Sequence, residues 1–62
     1  METTEKPMYY FYRKLPSGKW KYSDAFNSTL DPNYHAWINH CRENKIEWKL
    51  VSTYDNSIKF SG

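Results

Sequence analysis

Glycine is nearly missing from this chain: Gly18 and Gly62 are the only two. Loops that cradle phosphates need several glycines at fixed spacing, so a nucleotide-binding loop of that kind is excluded. Cysteine is scarcer still. Cys41 stands alone, so no disulfide can form within the chain. The same scarcity argues against a structural metal, because only His35 and His40 could join Cys41 as soft ligands. Five residues apart on a helix, the two histidines point about 140° from one another, whereas a shared zinc needs them on one face. No cofactor and no metal are therefore expected.

Long apolar runs are also lacking. Nothing approaches the roughly 18 residues that a membrane-spanning helix requires. No apolar segment of signal-peptide type follows the N-terminus. With a lone cysteine, this pattern is that of a cytoplasmic protein with no membrane partner. Asn27-Ser28-Thr29 matches a glycosylation triplet, which without a secretory signal is expected to go unused. Acidic residues are missing from one stretch in particular: none occurs between Met8 and Ser23, where Arg13, Lys14, Lys19 and Lys21 stand unopposed.

What the chain has in quantity is aromatic side chains, twelve of its 62 residues. A chain this short buries only about 60% of its unfolded surface, so large rings are its main means of building a core. So few interior positions exist that some rings must stay near the surface.

The pattern along the chain reads as one small unit. Residues 1–7 are polar, carry no period and are expected to form a flexible tail, with a single domain over 8–62. Met8 to Lys14 is dense in aromatics, which favour strands. Leu15-Pro16-Ser17-Gly18 is a turn signal, and Lys19 to Ser23 alternates as a half-exposed strand does. With Leu15 opposite Gly18, Arg13 would face Trp20 and Phe11 would face Tyr22. Those four would share the core face with Tyr9, while Met8, Tyr10, Tyr12, Lys14, Lys19 and Lys21 would face outward. A bulge at the turn would move one strand's residues across.

Asp24 to Leu30 reads as a connection. Asp31-Pro32 then opens a helix, since Asp caps free N–H groups and Pro suits the first helical position. Tyr34, Trp37, Ile38 and Cys41 recur at helical spacing as one apolar stripe, and Asn44 is the expected left-handed terminator. Ile46 to Tyr54 alternates as a strand, Asp55-Asn56 reads as a turn, and Ser57 to Phe60 as a last strand. The fold class is thus α+β: a small antiparallel sheet in β-β-α-β-β order covered by one helix.

Catalytic chemistry finds no support in this pattern. Asp31 and Asp55 have structural work as cap and turn residues, and Glu43 and Glu47 flank the helix end. No two carboxylates make a convincing acid–base pair. Cys41 lies on the apolar stripe, where a free thiol packs as a small hydrophobe. The expectation is a non-enzymatic protein-binding module, an inhibitor, adaptor or accessory subunit. Its contact residues would be Tyr10, Tyr12, Lys14, Lys19 and Lys21 on the hairpin, and its partner another protein or a second copy. Tyr and Trp supply rigid, amphipathic contact area and dominate many interfaces. The alternative is nucleic-acid binding by the same residues, with bases stacked on tyrosines and phosphates held by lysines.

Overall fold

Strand β1 (Tyr9–Lys14) is the axis on which the other elements are arranged. In the computed structural model, which describes residues 7–62, it pairs on one side with β2 (Trp20–Phe26) and on the other with β3 (Trp48–Ser52). The short strand β4 (Ile58–Ser61) completes an antiparallel sheet in the order β2-β1-β3-β4. Helix α1 (Pro32–Glu43) connects β2 to β3 and packs on one face of the sheet. The β-β-α-β-β order and the helix limits agree with the expectation. The expected N-terminal tail lies outside the described residues except for Pro7, whose carbonyl accepts from the Thr53 hydroxyl.

The core forms where alternate residues of the strands meet the helix stripe. Phe11, Phe26 and Leu50 from the sheet and Tyr34 and Cys41 from the helix are all buried. Tyr9, Trp37, Ile38, Ile46 and Trp48 pack around them. Phe26 is an addition to the expected core, because β2 runs on through Asp24 and Ala25 where a connection was anticipated. Two polar contacts tie the helix to the hairpin. The Trp37 indole donates to Asp24 Oδ2 at 3.1 Å, and the Arg13 guanidinium lies 5.8 Å over the Trp37 ring while donating to Ser23 Oγ.

The hairpin corrects the expected pairing. Leu15 N–H donates to the Lys19 carbonyl, and Gly18 N–H to the Leu15 carbonyl. The loop therefore holds three residues, Pro16-Ser17-Gly18, with Gly18 in the left-handed region at φ 91°. This is the type I turn with a following glycine that three-residue hairpins favour. The extra loop residue shifts the register, so Lys14 faces Trp20, Arg13 faces Lys21 and Tyr12 faces Tyr22. Trp20 and Tyr22 consequently leave the expected core face. A bulge at Ser23, between the pairs Tyr12–Tyr22 and Phe11–Asp24, then turns Asp24 and Phe26 back toward the helix.

Both helix ends are built from local chemistry. Asp31 accepts from Asn33 N–H at 2.8 Å as N-cap, and Pro32 occupies the first turn. At the far end Asn44 is the C-cap at φ −102°, and it is Lys45, not Asn44, that takes the left-handed conformation at φ 56°. Ile46 N–H donates to the Cys41 carbonyl and Lys45 N–H to that of Arg42, the paired bonds of a Schellman ending. Asn44 stays one position earlier because its side chain donates to the His40 carbonyl. The second hairpin is also looser than a two-residue turn: Ser52 N–H donates to the Ser57 carbonyl, so residues 53–56 form the loop.

Three outcomes follow. Lys45→Gly removes the Cβ that disfavours φ 56° and should stabilise the fold by about 1 kcal/mol in urea unfolding. Phe11→Ala should cost about 3–5 kcal/mol, a large share of a small domain's stability, and leave no cooperative thermal transition at ordinary temperature. Asp55 accepts from the Ser57 hydroxyl and the Ser57 N–H, and these bonds hold its pKa down to about 2. Its contribution to stability is complete above the unfolded carboxylate value and is lost as pH falls through about 2. Carbon-detected NMR titration of the Asp55 carboxyl should show that low midpoint, and a midpoint near 4 would remove the Ser57 contacts from the account.

Candidate binding surface on the open face of the sheet

Among the described residues one helix covers one face of the sheet and no element covers the other. The bare face is set by the same alternation that builds the core. Tyr10, Tyr12 and Lys14 project there from β1, Trp20, Tyr22 and Ala25 from β2, Lys49 and Val51 from β3, and Ile58 from β4. Across the strands they make rows: Ala25, Tyr10, Val51 and Ile58 in one, Tyr22, Tyr12 and Lys49 in the next, then Trp20 beside Lys14. Trp20 is 41% exposed, Tyr22 53% and Ile58 57%. These values are high for residues of such size, and they lie together, which distinguishes a patch from scattered surface apolar groups.

The rings are already organised. Tyr10, Tyr12 and Tyr22 contact one another edge to face, with centroids 5.5 to 6.4 Å apart. Such geometry aligns ring edges with ring faces and fixes each side chain. Lys49 Nζ sits 4.5 Å from the Trp20 ring centroid and 5.6 Å from that of Tyr12. Lys14 Nζ lies 5.6 Å from Trp20 and pairs with Glu47 Oε1 at 3.3 Å. Each cation–π contact contributes roughly 0.5–1 kcal/mol at an exposed site. The cluster is a preformed, amphipathic surface.

Of the five residues singled out in the sequence, Tyr10, Tyr12 and Lys14 belong to this face. Lys21 does not: it pairs with Arg13, on the helix side. Lys19 does not either: it closes the hairpin loop opposite Leu15, one position before Trp20. Trp20, Tyr22, Lys49, Val51 and Ile58 take their places. The Leu-Pro-Ser-Gly segment held the signal for Trp20 and Tyr22, since a left-handed glycine after a type I turn makes a three-residue loop. Lys49 and Val51 alternate with Trp48 and Leu50, which places them opposite the core. Their position beside Tyr12 and Tyr10, however, depends on β1 pairing with β3.

Elsewhere the chemistry is sparse. No group of three or more His, Cys, Asp or Glu side chains is arranged to hold a metal among the described residues. No described helix is long and apolar enough to cross a membrane. His35 is exposed against Tyr34, and His40 is exposed with its ring edge-on to Trp37. Cys41 is fully buried. Burial pushes its thiol pKa up, and the opposing pull of the Arg13 charge is the smaller effect. A thiol held protonated is a poor nucleophile. Cys41 should therefore react slowly with a thiol reagent in the native protein and quickly in denaturant. Fast native labelling would place the side chain at the surface. No family model matches the chain, and no curated protein or solved structure matches it, so the open face is read from its own chemistry.

Proposed function

We propose that this protein is a small non-enzymatic binding module of the cytoplasm, an inhibitor, adaptor or accessory subunit, whose partner protein docks on the open face of the sheet. The observation that carries the reading is the row structure itself: three interlocked tyrosines, Tyr10, Tyr12 and Tyr22, joined to Trp20 through Lys49 and continued by Val51 and Ile58. A sheet face of this composition is ordinarily buried against a second layer, and among the described residues only the helix, on the opposite face, supplies one. Tyrosine and tryptophan held in place by interleaved lysines give the rigid, amphipathic contact area that interface hot spots favour.

A single-stranded nucleic acid would use such a face differently. It needs ring faces on which bases stack and cations left over for phosphates. Here Lys14 and Lys49 occupy the faces of Trp20 and Tyr12, and Lys14 is also engaged by Glu47. The tyrosines meet one another edge to face, and Val51 and Ile58 extend the patch with aliphatic surface that has no counterpart in a phosphate backbone. A second copy is disfavoured by charge, since two such faces would bring lysines against lysines.

The test is affinity capture from the cells that make the protein, repeated after nuclease treatment, followed by binding measurements on the captured partner. The partner should survive nuclease. Trp20→Ala and Tyr22→Ala should each weaken binding by about 2 kcal/mol or more, with unchanged circular dichroism. Lys49→Gln should act mainly on the association rate. Loss of all captured protein on nuclease treatment, a dimer in sedimentation, or full affinity after both ring substitutions would each overturn the reading.

A further inference from the structure

Among the described residues the charges are sorted by position. Arg13, Lys14, Lys19, Lys21 and Lys49 surround the first hairpin near its loop, and the helix C-terminus brings Arg42 and Lys45 to the same end. A surface recess joins the two: Arg13, Lys14, Leu15 and Pro16 line it with Asn44, Lys45 and Glu47. Among the described residues seven cations lie at that end with two carboxylates, Glu43 and Glu47. At the other end lie Asp31 at the helix N-terminus and Asp55 in the second loop, the latter beside Lys59. Among the described residues only Lys14 and Lys59 have carboxylates within ion-pair distance.

The cations encircle the hairpin tip; they do not line a track. Lys14 and Lys49 are on the open face, Arg13 and Lys21 on the helix side, Lys19 where the loop closes and Lys45 just past the helix. A backbone-tracking groove would place them along one path. A ring of cations around a projecting loop is instead complementary to a concave surface lined with carboxylates. The tip suits insertion: Pro16, Ser17 and Gly18 are exposed, and the loop is closed by two backbone hydrogen bonds of 2.8 Å each.

Resting on the docking reading above, we infer that the partner is a protein with an acidic recess that receives the hairpin tip, while its apolar wall lies on the open sheet face. Charge complementarity selects this occupant. The basic end repels a second copy of itself, and the adjoining apolar patch would be wasted against a duplex or a single strand, whose outer surface is phosphate. Docking is polarised, with Asp31 and Asp55 held away from the carboxylates of the partner.

The experiment uses the full chain, labelled with nitrogen-15, and three probes of similar length: poly-L-glutamate of about 20 residues, an oligothymidylate and a DNA duplex. Poly-L-glutamate should shift the amides of Lys19, Lys21 and Lys45 and leave those of the first helical turn in place. Replacing Lys19, Lys21 and Lys45 together with Gln should weaken that binding roughly tenfold or more, and replacing them with Arg should restore it. Trp20→Ala with Tyr22→Ala should change it by no more than about twofold, because the polymer has no apolar group to seat. Shifts that are absent, or spread over both ends of the molecule, would overturn the inference. So would either nucleic acid binding roughly tenfold more tightly than poly-L-glutamate, which would make the basic end a phosphate site. Loss of the charge effect with the ring effect on the captured partner intact would end the acidic-recess inference and leave the docking reading standing. The converse result would end the docking reading.

Discussion

The whole arrangement depends on the burial of one ring. Phe11 sits at the middle of the central strand, fully excluded from solvent. Its ring meets Phe26 from β2, Tyr34 and Trp37 from α1 and Trp48 from β3, all with centroids within 6.2 Å. Trp48 stacks on it nearly parallel, at 13°. Tyr34 reinforces the same junction from the helix, meeting Phe26 and Trp48 as well. In a chain of this size, where hydrophobic burial only narrowly exceeds the conformational entropy lost, aromatic contacts at one point replace the disulfide that a lone cysteine cannot supply.

The core and the open face are two readings of a single strand. Within β1, Phe11 and Arg13 turn toward the helix, and Tyr10, Tyr12 and Lys14 turn away. Because side chains alternate with period two, a slip of one residue would exchange the two sets. Arg13 marks how strictly the register is held. It is a charged residue on the covered side, accommodated because its guanidinium stacks on Trp37 and donates to Ser23. The bulge at Ser23 serves the same end. It restores Asp24 and Phe26 to the helix side after the hairpin loop has sent Trp20 and Tyr22 to the other. Asp24 then accepts from the Trp37 indole, so one irregularity in β2 fixes both the helix and the open face.

Helix α1 was legible in the sequence because its signals are local and agree. Asp31 and Pro32 start it, the stripe from Tyr34 to Cys41 faces the core, and the chain after Glu43 ends it. The element order was legible for similar reasons. The faces of β2 were not, since they depend on counting loop residues, and Pro16-Ser17-Gly18 differs from a two-residue turn by a single residue. Lys45 at positive φ was hidden behind Asn44, which has the better intrinsic preference but uses its side chain to satisfy the His40 carbonyl. A third of the open face, Tyr10, Tyr12 and Lys14, was readable from β1 alone. The remainder depends on which strands become neighbours, and Lys49 reaches Tyr12 only because β3 returns beside β1 and not beside β2.

The three tryptophans are distributed so that each belongs to a different part of the molecule. Trp48 stacks in the core, Trp37 donates to a carboxylate where the helix meets β2, and Trp20 lies under two ammonium groups on the open face. Indole emission responds to the charge and polarity around the ring, so the intrinsic fluorescence of this chain is a sum of three separately placed reporters. With Trp20 as the only fluorophore, emission would follow occupation of the face, and with Trp48 alone it would follow unfolding. The molecule thus carries its own optical means of separating a change at the open face from loss of the fold.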